Sequence, residues 1–129
     1  MRDRLKLFYT RLSAGAGLAV CVVATTPAPA FACKCANTPL AEKIAKAEAI
    51  FSARVMSVRI DGRDRFARLQ VIRAIKGDVS GEVEVSTRAK PVACGYVFRE
   101  GMTLTFAGFA SPGGYVTNRC FLQGMSRAR

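Results

Sequence analysis

Ile50-Phe51-Ser52-Ala53-Arg54-Val55-Met56-Ser57-Val58-Arg59-Ile60, followed at once by Asp61-Gly62, decides the fold. Phe51, Ala53 and Val55 fall on one side and Ser52, Arg54 and Met56 on the other. Such a period of two predicts a half-buried strand from Ile50 to about Ile60. Asp61-Gly62 tolerates positive φ and matches the twist of paired strands, so it reads as a hairpin turn. The return strand is predicted from about Asp64 to Ile75, with Leu69 and Val71 on one face and Phe66 and Ile72 on the other.

Working outward toward the C-terminus, Lys76-Gly77-Asp78 turns the chain, and Glu82 to Ser86 alternates with valines inward and carboxylates outward. Glu82 and Glu84 share a face, but they read as a solvated strand face rather than an acid/base pair. Pro91 to Tyr96 is a loop pinned by Cys94, and Phe98 and a Glu100-Gly101 turn follow. Met102 to Phe109 is the clearest buried strand, with Met102, Leu104 and Phe106 on one side. Ser111-Pro112-Gly113-Gly114 turns it back, Tyr115-Val116-Thr117 begins a last strand, and Cys120-Phe121 closes it. Residues 124–129 read as a frayed basic tail.

In the other direction, Asn37-Thr38-Pro39 opens a helix, with Thr38 as cap, Pro39 at the first helical position and Glu42 near the positive end. Leu40, Ile44, Ala47 and then Phe51 recur at helical spacing, which predicts a buried face on a helix that ends near Glu48 or Ala49. Five strands and one N-terminal helix, with turns every ten or so residues, predict a small antiparallel barrel.

Residues 1–32 read as a secretory signal. Arg2, Arg4, Lys6 and Arg11 form a basic start, Ala14 to Ala24 is apolar, and Ala30-Phe31-Ala32 supplies a small-residue cleavage motif. An eleven-residue apolar run is too short to span a bilayer comfortably. A lipoprotein reading is weak because Ala30 stands where a lipobox usually carries Leu. Cleavage after Ala32 would leave 97 of the 129 residues, beginning with Cys33 and sized for one domain at residues 33–129. Of 20 basic and 9 acidic residues the signal removes four and one, so 16 against 8 remain and the net charge is +8. The protein is then secreted, periplasmic or held at the cell envelope, with no stable membrane insertion.

Four cysteines stay with that domain: Cys33, Cys35, Cys94 and Cys120. A small exported chain with an even cysteine count predicts two disulfides, out of three possible pairings. A bridge between Cys33 and Cys35 would be strained, which leaves the two long-range pairings open. The sequence contains no histidine and one Cys-x-Cys, so neither a tetrahedral zinc set nor the commonest general base is present. No metal or cofactor of its own and no enzymatic activity are expected.

Together, the signal followed by Cys33-Lys34-Cys35, the helix, Ala49-Ile50-Phe51-Ser52-Ala53-Arg54-Val55, Lys76-Gly77, Cys94-Gly95 with Phe98 and Gly101, Phe106-Ala107 and Cys120 resemble the netrin-like domain of the tissue inhibitors of metalloproteinases. The resemblance spans essentially residues 33–122. It implies an OB-fold-like barrel, with Cys33 bridged to Cys94 and Cys35 to Cys120. It also implies inhibition of a zinc metalloprotease: the amine and carbonyl of Cys33 would chelate the partner's zinc. Lys34 would enter the protease's pocket, Cys35 would anchor the edge, and Cys94-Gly95 would form part of the contacting ridge. Family inhibitors usually carry a small hydroxyl residue where Lys34 stands. A cation there needs a partner or loses several kcal/mol in an apolar pocket.

A basic cluster suggests a second class of partner. Arg59, Arg63, Arg65, Arg68 and Arg73 gather around the Asp61-Gly62 hairpin, and Lys34, Lys43 and Lys46 lie near the N-terminus. A solvated face is the default, and an anionic polysaccharide or cell-envelope component is the alternative ligand. Nucleic acid is not expected, because aromatic interleaving is sparse and an exported protein seldom meets it.

Overall fold

The computed structural model describes residues 15, 17–22 and 33–127. The chain divides into two units, Met1–Ala30 and Phe31–Arg129. In the first, the described residues form neither helix nor strand. The basic start of the expected signal and the Ala30-Phe31-Ala32 cleavage motif lie outside the described residues. Among the described residues no helix is long and apolar enough to cross a membrane.

The second unit is mainly β. Strand β1 (Ala49–Asp61) pairs antiparallel with β2 (Asp64–Lys76) from Ile50 opposite Lys76 to Asp61 opposite Asp64. Gly62 between them has φ +61°, the freedom that the hairpin signal required. Three register shifts bend this long ribbon, between Ile50 and Phe51, Ser52 and Ala53, and Val55 and Ser57. The bent β1 also pairs on its other side with β4 (Thr103–Ser111), while β3 (Glu82–Arg88) pairs with β2. A hairpin with Ser111 opposite Gly114 joins β4 to β5 (Gly114–Val116), and β5 lies along β3. The five strands close in a ring of order β1-β2-β3-β5-β4.

That ring corrects one expectation. The β3–β5 pair is parallel, with Val85 opposite Tyr115 and Ser86 opposite Val116. Five strands cannot alternate direction all the way around a closed ring, so at least one pair must run the same way. The last strand is also shorter than expected. It ends at Val116, and Cys120 sits in a one-turn helix, α2 (Arg119–Leu122). The Asn118 side chain accepts the Phe121 N–H at 2.8 Å, so a cap replaces the ladder there.

The N-terminal helix α1 runs only from Leu40 to Lys46. Thr38 does not cap it: the N-cap is Pro39, with no side-chain hydrogen bond. It stops early because Ala47 is already extended and the Glu48 N–H donates to the Gly108 carbonyl of β4 at 3.0 Å. The Lys76 ammonium closes the end by donating to the Ile44 and Ala45 carbonyls at 2.9 and 3.0 Å.

Phe51, Ala53 and Val55 are fully buried, as are Leu69, Val85 and Phe106 from the facing strands. Phe51 and Phe106 stack with ring centroids 4.8 Å apart at the centre of this core. Burial on β4 is not confined to one side. Phe106 and Ala107 are both enclosed, because α2 and a 3₁₀ turn at Met125–Arg127 pack on β4. Met125 is completely buried, so the start of the expected frayed tail is part of the core.

Candidate functional site

One edge of the domain gathers the residues singled out near the N-terminus. Cys33 is bridged to Cys94 and Cys35 to Cys120, with Cα atoms 5.0 and 5.1 Å apart. The bridges touch each other: Cys33 Sγ lies 3.5 Å from Cys120 Sγ, which lies 3.8 Å from Cys94 Sγ. The extended segment at residues 33–39 is thereby tied to the loop after β3 and to α2. With both bridges formed, these clustered sulfurs are not the thiolates that ligate metals.

The loop after β3 owes its shape to two residues. A 3₁₀ turn at Pro91–Ala93 ends on Cys94, whose φ of +64° is the sole positive value among the described non-glycine residues. Left-handed backbone costs a side-chain-bearing residue on the order of 1 kcal/mol, here held by the Cys94 N–H donating to the Pro91 carbonyl at 3.0 Å. Gly95 is buried, and a Cβ on it would overlap the Arg88 carbonyl at the end of β3. It shapes the ridge from beneath rather than presenting a contact surface. Lys34 is exposed, and Val92 and Val97 on either side of Cys94 are 56% and 42% exposed.

Arg119 was not singled out by sequence, yet it holds this edge together. Its N–H donates to the Cys94 carbonyl at 2.8 Å and its guanidinium to the Cys33 carbonyl at 3.3 Å. The carbonyl of Cys33 thus already faces a positive group. A second acceptor site on that oxygen remains. Asn118, three residues before the Phe121 N–H it caps, is the sequence signal that could have placed Arg119 at a helix start.

Lys43 belongs elsewhere than in a solvated basic face. It is 8% exposed, and its ammonium donates to the Cys120 carbonyl at 2.8 Å and the Gln123 carbonyl at 3.0 Å. Its spacing from Leu40 and Ala47 on the inward stripe was the available signal. Lys46 is exposed and pairs with Glu42. Tyr96, packed edge-on against Phe98, has its phenol pushed above the usual value of 10 by burial, partly offset by the nearby Arg99 charge.

The arginines around the hairpin are spread along β1, the turn and β2, and three of the five meet partners. Arg59 pairs with Glu84 at 3.4 Å and lies over the Phe66 ring at 4.2 Å, while Arg68 pairs with Glu82 at 3.5 Å. Arg65 donates to the Tyr96 carbonyl at 3.2 Å. Arg63 and Arg73 are exposed and enter no ion pair among the described residues.

No known family matches the chain when it is scanned against family models, and a search of curated proteins likewise finds no match.

Proposed function

We propose that the domain, exported and cleaved before Cys33, is an OB-like inhibitor of a zinc metalloendopeptidase. The observation that supports this reading most is the clamped edge: the backbone of Cys33 is fixed by two touching disulfides beside an exposed Lys34 and a ridge bearing Val92 and Val97. A neutral α-amine and the Cys33 carbonyl close a five-membered chelate, and a clamped chelator loses little freedom on binding. The zinc and the catalytic machinery belong to the partner. Exposed apolar side chains on either side of Cys94, the bridge partner of the chelating residue, supply the kind of surface that an interface buries. The closed five-strand ring is consistent with the OB-like reading.

Lys34 sets the specificity. The preferred protease carries an acidic group where Lys34 enters, since a desolvated ammonium needs a charged partner. The polysaccharide reading draws less support, because Glu82 and Glu84 already engage Arg68 and Arg59 on the hairpin.

The test uses protein beginning at Cys33, assayed against a panel of zinc endopeptidases from pH 6 to 8.5. Inhibition strengthens as pH rises through the ordinary α-amine pKa of ~8, because only the neutral amine binds metal. Acetylating the amine, or adding one alanine before Cys33, abolishes it. Inhibition that is flat with pH and survives both changes contradicts chelation.

A further inference from the structure

Beside the Cys35–Cys120 bridge, residues 35–40, Lys43, Tyr96, Arg119 and the turn at residues 122–124 line an open cavity of ≈ 850 Å³. That volume falls in the range of small-molecule sites, on the order of 300–1,000 Å³. Its polar wall carries two cations, Lys43 and Arg119, and its lining includes no carboxylate. Leu40, Pro39 and Leu122 give it an apolar wall.

Lys43 is the unusual feature. Buried cations are normally paired with an anion. Among the described residues every ion pair uses another cation, and the partners of Lys43 are two neutral carbonyls. An ammonium has three N–H groups, so one remains for a further acceptor. Arg119 spends one guanidinium nitrogen on the Cys33 carbonyl and keeps further donors on its planar fork. The two cations therefore supply donors without an internal anion to receive them.

We infer that this cavity is a binding site for a carboxylate carried on a short apolar chain. The carboxylate accepts from Lys43 and Arg119, and the chain lies along Leu40 and Leu122. A free organic acid and the C-terminal residue of a peptide present the same chemistry. The inference is independent of zinc chelation, since it needs neither the amine of Cys33 nor a protease.

The experiment follows amide shifts of the oxidised protein by NMR during titration with hexanoate, with its neutral counterpart hexanamide, and with N-acetyl-leucine. Hexanoate is expected to give saturable shifts at Lys43, Arg119 and Gln123, with hexanamide at least about tenfold weaker because it lacks the charge. N-acetyl-leucine binding more tightly than hexanoate identifies a peptide C-terminus as the source, and the reverse order identifies a free acid. Arg119→Gln keeps the backbone N–H bond to the Cys94 carbonyl and loses the guanidinium contact with Cys33, so it is expected to weaken hexanoate about tenfold, with its own shift changes confined to residues near Cys33 and the barrel strands staying native. Lys43→Gln is made in parallel; if it does not fold, Arg119→Gln decides. Equal affinity for hexanoate and hexanamide, no saturation up to about 50 mM, or an unchanged affinity in Arg119→Gln overturns the inference.

Discussion

Gly95 contributes no side chain to the ridge, yet the ridge depends on it. A Cβ there meets the Arg88 carbonyl oxygen, and that neighbour is backbone at the end of β3 and cannot swing aside. Gly95→Ala is therefore expected to destabilise the domain by roughly 3 kcal/mol in a urea melt, and to disturb inhibition through displacement of Cys94. A stability within ~0.5 kcal/mol of the parent would show that the loop relaxes freely. The Cys94-Gly95 pair was legible as a motif, but the reason for the glycine was not: it lies in an approach between chain segments that no local pattern encodes. Lys43 shows the same limit from the other side. As one of several lysines near the N-terminus it read as part of a solvated face, whereas its carbonyl partners at residues 120 and 123 are set by tertiary packing.

The elements read best were those whose periodicity is local. Phe51, Ala53 and Val55 on β1 and the turn at Gly62 are where the alternation and the Asp-Gly pair put them. Ends were harder to read: α1 stops where the Glu48 N–H is taken by β4, and β5 stops where Asn118 caps α2. The first is decided by a competing hydrogen bond from a distant strand, the second by a local cap that competes with the ladder. The same applies to the segment before α1, which has no regular structure and is held by its bridges. Replacing Cys35 and Cys120 together by serine opens a closure of sequence separation 85, for which chain entropy gives a loss of about 4 kcal/mol. The melting temperature is expected to drop accordingly, and the Thr38 amide, which donates to the Ala36 carbonyl, to lose protection first. An unchanged melting temperature would mean that packing of α1 and α2 alone holds this edge.

At the scale of the whole molecule, ring closure supplies what the strand pattern could not. Strand number and order along the chain were legible; the parallel β3–β5 pair follows from closing an odd number of strands and has no local signature. Charge also rearranges at this scale. The strongly basic composition suggested an open arginine cluster, but cross-strand glutamates engage part of it. Glu82→Gln with Glu84→Gln should therefore raise the salt concentration needed to elute the protein from a sulfated polysaccharide column, by removing two negative charges and freeing Arg68 and Arg59. Unchanged elution would place polyanion contacts away from the hairpin. The functional account as a whole rests on a free amine at Cys33, and the intact mass of the protein exported by its native host, alkylated without reduction, tests that most directly. The expected mass is that of residues 33–129 with two disulfides and no adduct; a retained leader, a lipidated or acylated Cys33, or a start at any other residue would rule out chelation through Cys33.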